Sequence, residues 1–548
     1  MQIARLIGGA GTGKTTELLR IMEAALEPLG GDPLRLGFAS FTRAARAEAV
    51  ARASRAWGCD ESLLSVKGWF RTVHSTAYRC LGVQAGQLIT DRKDDIEWLS
   101  NALGVKLATQ LDDESGRHAY VGDPVVAAAL NCWSLSRSAL LPLGEVVRAA
   151  RAVDDNVPDF AKIVSISDRY ESAKRLEDRV DFTDLLMRFA GIGASTTEGI
   201  YRKTPEGELP DVSAWLFDEQ QDASPLLDAV CKRLVSAPSV RWCYLVGDPF
   251  QAIYGFAGSS SECFLSWDVA KQRIMPKSYR CPAPILELGE RCLRRMHKGY
   301  FDRGIAPADH AGSISELSDL EDLAHVVDPR EDWLLIARTN YQANRLYAAM
   351  QANHKPVRWT STADGLTSRT LGLQALYALE NGEPITGVQW SKAQELLPQK
   401  TKDRETILTR GTKAKWKQPE TLAQWDLIFP SELEEVGATE PLRAAIASGE
   451  WVKWVDRGSA WRRQAKQFGA ALASEPRVRV GTIHSVKGAE ADNVALLTTI
   501  STRVANGEED AAQHDEECRI AYVGVTRARR NLFVVNEGRQ GALRMEVL

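Results

Sequence analysis

The sequence predicts an α/β protein made of two regions of parallel sheet flanked by helices, each carrying a mainly helical insertion. Three observations lead there. The apolar run Gln2–Ile7 passes through a glycine-rich loop into a segment whose Leu18, Leu19, Ile21 and Met22 fall at helical spacing, which is a strand, a loop and a helix in succession. Apolar runs of strand length then recur at 34–39, 215–217, 242–246, 333–337 and 532–535. Two stretches, 81–168 and 371–470, lose this character and read as insertions. The expected organisation is a first α/β domain over 1–80 and 169–277 with the insertion 81–168. A second domain follows over 278–370 and 471–548, with the short insertion 371–470.

The loop Gly8-Gly9-Ala10-Gly11-Thr12-Gly13-Lys14-Thr15 meets the pattern G-x-x-x-x-G-K-[ST] at every defined position, between a strand and a helix start. Glycines without side chains let backbone N–H groups close around phosphate oxygens, and the helix N-terminus adds its positive dipole end. Lys14 then reaches the β- and γ-phosphates and the Thr15 hydroxyl ligates Mg²⁺, with Thr16 completing the nucleotide-binding run. The plainer alternative is a glycine-rich turn with a solvated lysine.

Gly30-Gly31-Asp32-Pro33 reads as a turn and 34–39 as the second strand, ending in Ser40-Phe41-Thr42-Arg43 before a helix over 44–56. Ligands bind at the C-terminal ends of strands in open α/β sheets, which sets Phe41 and Arg43 on the same edge as Lys14. A buried phenylalanine beside a solvated arginine is the competing reading. His74, in Thr72-Val73-His74-Ser75, taken alone reads as a capping or packing residue ahead of a helix. Between 81 and 168 charged helical patterns (91–103, 143–153) are broken by turns such as Val121-Gly122-Asp123-Pro124, and no chemistry is evident.

The strand at 215–217 runs into Asp218-Glu219-Gln220-Gln221-Asp222. Adjacent carboxylates beside a phosphate loop suit an ATPase: Asp218 for the metal shell, Glu219 to orient and deprotonate water. A solvated acidic loop is the alternative. The next strand delivers Gly247-Asp248-Pro249-Phe250-Gln251-Ala252-Ile253-Tyr254-Gly255-Phe256. A strand-end glutamine, Gln251, can sense a γ-phosphate, and Tyr254 and Phe256 can offer faces to bases. Arg280, in Lys277-Ser278-Tyr279-Arg280-Cys281-Pro282, is a candidate for transition-state charge. Arg338-Thr339-Asn340 follows the strand at 333–337, and Thr526 to Arg530 form a dense cationic turn. Lys413 to Lys417 and Trp451 to Trp454 interleave basic residues with tryptophan, which suits either amphipathic packing or nucleic-acid contact.

Composition sets outer bounds. The 548 residues, 44% apolar and 26% charged, are ordinary for a globular protein of several domains, and a net charge of −4 argues against a basic coat while allowing a local basic channel. Nine cysteines with no C-x-x-C pair read as reduced thiols, neither a disulfide frame nor a zinc site. With no apolar run of membrane-spanning length and no leader before the phosphate loop, the expected location is cytoplasmic.

These blocks, in this order, resemble the superfamily 1 DNA helicases of the UvrD/Rep/PcrA type from Gly8 to Val535: GAGTGKT at Gly9, SFTRAA at Ser40, TVHS at Thr72, DFTDLL at Asp181, FDEQQD at Phe217, GDPFQAIYGF at Gly247, SYR at Ser278, RTN at Arg338, TIHSVKGAE at Thr482 and AYVGVTRAR at Ala521. The resemblance implies two RecA-like motor domains with ATP and Mg²⁺ between them and single-stranded DNA or a single-strand/duplex junction across the top. It implies that Arg280 and Arg527 are arginine fingers, that Tyr279 stacks on adenine and that Glu490 holds the ribose. It sets Phe41, His74, Tyr254, Phe256, Arg338, Asn340, Thr482 and His484 at positions that contact the strand, and Arg43 beside Phe41 is counted with them as a DNA-binding candidate. It further implies 3′ to 5′ movement, in a motor that DNA repair, DNA replication and its restart, phage or plasmid replication and defence against invading DNA would all use. The chain departs from the family's pattern in three ways: no glutamine-containing motif precedes Gly8, Phe256-Ala257 stands for the usual Trp-Arg pair, and the second insertion is short. A single-strand translocase or protein-displacing ATPase in a larger complex, without strand separation of its own, is therefore carried as the alternative. A non-motor P-loop kinase or ATP-gated scaffold accounts for neither the paired arginines nor the second domain.

Overall fold

A computed structural model describes residues 1–112, 117–154, 156–361, 366–423, 425–507, 510–537 and 545. The ends of the expected second domain, 538–544 and 546–548, lie outside the described residues, as do 113–116, 155, 362–365 and 424 in or beside the insertions.

Two six-stranded, all-parallel sheets organise the chain. The first runs in the order Lys271–Ile274, Gln2–Ile7, Trp242–Gly247, Ala214–Phe217, Leu36–Ser40, Trp69–Thr72. The second runs Ser313–Leu317, Ala528–Val535, Ala491–Leu497, Trp333–Ala337, Val478–Thr482, Arg358–Trp359. A parallel strand with helices on both faces must be apolar throughout. Ala214–Phe217 and Trp333–Ala337 are indeed buried at every residue. The expected α/β class with two parallel sheets is what the chain adopts.

Local chemistry moved several boundaries. The first helix begins at Lys14 because Gly13, in the left-handed region (φ 80°), closes the loop there. The second strand begins at Leu36, since Pro33–Arg35 form a 3₁₀ turn capped by the Asp32 carboxylate. The helix after it is Arg43–Trp57, started by the Thr42 hydroxyl on the Ala45 N–H and ended at Gly58. His74 lies inside helix Val73–Leu81, not ahead of it. The edge strands Lys271–Ile274 and Ser313–Leu317 had no apolar signal because each lies at the margin of its sheet, half to solvent.

The first insertion is not helical throughout: it holds an antiparallel pair, Leu107–Asp112 with Arg117–Gly122, followed by Asp123 as cap of helix Pro124–Ala139. Helix Phe160–Leu176 crosses the expected boundary at 168, and its Ile163, Ile166 and Tyr170 bury in the insertion's own core with Leu99, Leu130 and Trp133. The second insertion has a separate core around Trp390, Trp416, Trp451 and Trp461. Its tryptophans point inward while Lys415 and Lys417 are exposed, so the basic and aromatic pattern there is amphipathic packing. No helix among the described residues is long and apolar enough to cross a membrane.

The first insertion is fastened to the sheet domain by charge. The Arg137 and Lys174 side chains, both nearly fully buried, sit among Glu171, Asp181 and Asp184: Arg137 lies 2.9 Å from Asp181 and 3.0 Å from Asp184, and Lys174 lies 2.6 Å from Asp184. Burial would lower the arginine's proton affinity, but Asp181 and Asp184 raise it. Removing one partner of such a cluster leaves an uncompensated buried charge. Arg137→Met is therefore expected to destabilise this junction by about 3–5 kcal/mol. Hydrogen exchange should report it as lost protection along Phe160–Leu176, and unchanged protection would contradict the assignment.

Candidate functional site

The phosphate loop is defined by how closely other groups approach it. A Cβ added at Gly8 would lie 2.6 Å from Lys14 Cγ, at Gly9 2.5 Å from Ile305 Cδ1, and at Gly11, which also has φ +67°, 2.2 Å from Arg280 Cβ. Gly11 admits only glycine, since its φ is left-handed and the Arg280 Cβ and backbone N close on it, whereas at Gly8 and Gly9 a side chain would have to displace its neighbours. Lys14 Nζ donates to the Gly8 carbonyl at 3.0 Å, so the ammonium already lies over the loop. Along the loop's other side, Ser278 Oγ donates to the Ala10 carbonyl (2.8 Å) and the Tyr279 N–H donates to the Gly11 carbonyl (2.8 Å). The Tyr279 ring is 70% exposed and faces Gly13, leaving an open aromatic face beside the loop. Thr15 is half-buried and Thr16 exposed on the first helical turn.

Asp218 and Glu219 emerge from the buried strand Ala214–Phe217. Burial, reinforced by Glu219, pushes the Asp218 carboxyl up to about 7 although Lys14 opposes it. Burial would also raise Glu219, but Lys14 and Lys487 hold it below the ordinary carboxylate range. Neighbouring acids whose proton affinities are driven apart in this way suit different roles. Glu219 is also in the left-handed region (φ 55°), uncommon for a side-chain-bearing residue, and accepts a 2.6 Å hydrogen bond from Gln221 Nε2.

Two arginines come from the second half of the chain: Arg280, whose Cβ stands against Gly11, and Arg527, whose charge reaches Glu219. Arg280 Nη2 pairs with Glu490 at 2.5 Å, and Arg280 Nη1 donates to the Thr526 carbonyl (3.4 Å). The carboxylate expected on a ribose thus holds an arginine, and Arg529 lies 3.4 Å from its other oxygen. Arg527 is 1% exposed; its Nε donates to the Val523 carbonyl (2.9 Å), its Nη1 to that of Ala489 (3.3 Å), and its Nη2 has no hydrogen-bond partner among the described residues. Burial, then Arg280, lowers its proton affinity to about 10, while Glu219 opposes this. An orphaned guanidinium nitrogen beside a lysine-bearing glycine cradle and two acids fits a nucleoside triphosphate with a divalent cation.

Contacts across the seam tie the loop at 248–256 to helix Ala511–Val525. Glu516 accepts from the Gly255 N–H (2.9 Å), Arg519 Nε donates to the Ala252 carbonyl (2.9 Å), and the Tyr522 hydroxyl donates to Asp248 Oδ2 (3.2 Å). Lys487 Nζ reaches Asp222 at 2.5 Å and the Gln251 carbonyl at 2.5 Å. Gln251 Nε2 donates to Asp248 Oδ2 at 2.9 Å. Lys487, Tyr522 and Asp248 lay inside recognised blocks but had no assigned role. Arg303, which pairs with Asp248, lay in no block at all and carried no signal in the sequence.

The residues expected to meet a polymer divide into two sets. Tyr254, Phe256 and His484 form one aromatic group, with ring centroids 5.5–6.2 Å apart and Phe256 44% exposed. Asn340 lines a small cleft with Trp359, Thr360 and Thr482. Phe41 is half-buried against the first core, Arg43 is exposed, and the His74 ring stands edge-on to Phe182 at 6.0 Å. Three expected contact residues are largely withdrawn from the surface. Arg338 is held by Glu517 through both Nε and Nη2, Thr482 is 1% exposed with its hydroxyl capping the Ser485 N–H, and His484 is 2% exposed with Nε2 3.1 Å from the Ile253 carbonyl. Buried polar groups take internal partners; Arg338, Thr482 and His484 Nε2 have done so, while His484 Nδ1 has no partner among the described residues.

Residues 2–271 match the UvrD/REP helicase N-terminal domain, and residues 465–537 match the UvrD-like helicase C-terminal domain. The chain is 25% identical over 574 aligned positions to a Mycobacterium tuberculosis protein named ATP-dependent DNA helicase UvrD2, spanning 96% of this chain and 75% of that protein. It is 21% identical to a Bacillus subtilis protein named putative ATP-dependent DNA helicase YjcD (96% and 76%) and, over 54% of this chain and 39% of the other, to PcrA of Staphylococcus epidermidis.

His484 gives the seam a pH signature. Burial pushes the imidazole down to about 3, well below its ordinary 6.5, so the unfolded chain binds the extra proton first as pH falls. This contribution is complete above about 6.5 and declines as pH drops from there toward 3. His484→Gln, which keeps a donor for the Ile253 carbonyl, is expected to melt with a shallower dependence on pH between 6.5 and 5 than the parent protein; an identical slope would refute the assignment.

Proposed function

We propose, for a chain that belongs to the UvrD-like helicase family, that it is an ATP-dependent DNA helicase whose two sheet domains close on ATP and move 3′ to 5′ along single-stranded DNA. The observation that carries this is Arg527. Its guanidinium is buried with one nitrogen unpaired, it comes from the second domain, and its field reaches Glu219 in the first.

Each residue then has a task its surroundings support. The glycine cradle and Lys14 bind the triphosphate, the Tyr279 face takes the base, and Gln251, held by Asp248, meets the γ-phosphate. Thr15 and Asp218 would hold Mg²⁺, which would neutralise phosphate charge when bound. Glu219, kept ionised by Lys14 and Lys487, orients the attacking water and accepts its proton. Arg280 and Arg527 stabilise the charge that develops on the transferred phosphoryl group.

Movement follows from where these groups sit. Lys14 and Glu219 belong to one domain and Arg527 to the other, so a bound γ-phosphate favours closure and its loss favours opening. Tyr254 and Phe256 share a loop with Gln251, and His484 meets them from the opposite domain, so closure changes the surface offered to bases. The polarity rests on kinship with the family.

Arg527→Ala is expected to lower DNA-stimulated ATP turnover by about 10³-fold or more while single-strand affinity stays nearly unchanged. Near-normal turnover would refute the finger assignment. Duplexes with a 3′ or a 5′ single-stranded tail test direction: unwinding from the 3′ tail alone is expected. Turnover stimulated by single strands without unwinding of either substrate would assign a translocase instead.

A further inference from the structure

We propose that Arg303 is a positioning residue for ATP turnover, fixing the Asp248 carboxylate and the Tyr522 hydroxyl and, through them, the Gln251 amide and the Ala10 N–H of the phosphate loop. Arg303 stands between Asp302 and Gly304 in a segment with neither helix nor strand, between the two matched stretches of the chain.

Its guanidinium is 0% exposed. Nη1 lies 2.8 Å from Asp248 Oδ1 and 3.2 Å from the Tyr522 hydroxyl, and Nη2 pairs with Glu290. The plane lies 4.7 Å from the Phe250 ring centroid and 5.0 Å from that of Tyr522. Arginine alone among side chains offers a rigid fork for two carboxylates and a hydroxyl while presenting a stacking face. The hydrogen-bond accounting closes at the Tyr522 hydroxyl and at Asp248, while Arg303 Nε and Glu290 Oε2 have no partner among the described residues. The Tyr522 hydroxyl spends its one proton on Asp248 Oδ2 and accepts from Arg303 and from the Ala10 N–H (3.1 Å). Asp248 takes Arg303 and the Phe250 N–H on one oxygen, and Tyr522 and Gln251 Nε2 on the other.

One cation thus sets two things at once. It compensates the fully buried carboxylate that orients the Gln251 amide, and it holds the hydroxyl that pins the phosphate loop from behind, where a Cβ at Gly9 would meet Arg303 Nη1 at 3.2 Å. Without it, Asp248 is left with neutral donors only, and a buried carboxylate so placed shifts or recruits another partner. The inference rests on the reading of Gln251 as the γ-phosphate sensor.

The test compares the full-length parent protein with Arg303→Lys, Arg303→Met and Gln251→Ala. For each, ATP turnover with and without oligo-dT, affinity for a fluorescent ATP analogue and affinity for oligo-dT are measured. Lysine keeps the charge but cannot meet Asp248, Glu290 and Tyr522 together, so Arg303→Lys is expected to lose about tenfold in kcat with both affinities nearly unchanged; Arg303→Met should lose at least as much. Normal turnover by Arg303→Lys beside an impaired Gln251→Ala overturns the role of Arg303 alone. Affinities that fall in step with kcat in Arg303→Lys also overturn it, since they mark a general loss of structure. Normal turnover by Gln251→Ala overturns the sensor reading and the inference with it. Should Arg303→Met fail to fold, Arg303→Lys decides.

Discussion

Buried polar groups at the seam between the two sheets find partners in the opposite half of the chain, and the rest of the molecule is arranged around that constraint. Lys487 comes from the second domain and Asp222 from the first; burial pushes the Asp222 carboxyl up to about 6 even with the ammonium beside it. Tyr522, Arg519 and Glu516 complete the set against Asp248, Ala252 and Gly255. Apolar contact is present too, since Ala10, Phe250 and Ile253 lie within the second domain's core. Apolar burial has no direction, however, whereas a buried ion left without its partner costs several kcal/mol, so the polar pairs fix the register in which the halves meet.

The same pairs explain how chemistry at one end of the seam reaches the other. Glu516, Arg519 and Tyr522 recur every three residues on helix Ala511–Val525 and so share a face, with Arg527 just beyond its end. Opposite them runs one loop, stiffened by the 3₁₀ turns Pro249–Gln251 and Gly255–Ala257, with Gln251 near its start and Tyr254 and Phe256 near its end. The glutamine is linked to this helix through Asp248 and Tyr522, and the aromatic loop through Gly255 and Glu516. The aromatic group itself straddles the seam, since His484 belongs to the second domain.

The charged junction of the first insertion is a useful contrast. Arg137 and Lys174 are as deeply buried as Arg527, but three carboxylates surround them, Lys174 lies 4.6 Å from the Tyr170 ring centroid and Arg137 5.1 Å from that of Trp133. That cluster balances its charges internally, although Arg137 Nε has no hydrogen-bond partner among the described residues, and it serves to hold an insertion in place. Arg527 has no such ring of carboxylates, and one nitrogen of its guanidinium is without a hydrogen-bond partner among the described residues. A buried cation ringed by carboxylates builds structure, whereas one short of such partners is a candidate to meet an anion.

The central strands, the glycine loop and the acidic pair were legible in the sequence because each is a local matter: a strand covered on both faces is apolar residue by residue, and a phosphate loop needs its glycines consecutively along the chain. The edge strand Lys271–Ile274 was not legible, since half its surface meets solvent and the apolar pattern vanishes. The withdrawal of Arg338, Thr482 and His484 from the surface was equally hidden, because residue type says that a side chain can bind a strand but not that Glu517 or the Ile253 carbonyl already occupies it. Arg303 is the extreme case, meeting Tyr522 across 219 positions of sequence. Neighbours along the chain determine which elements form, whereas the partner of a buried charge is chosen only when distant segments are packed together and water is excluded.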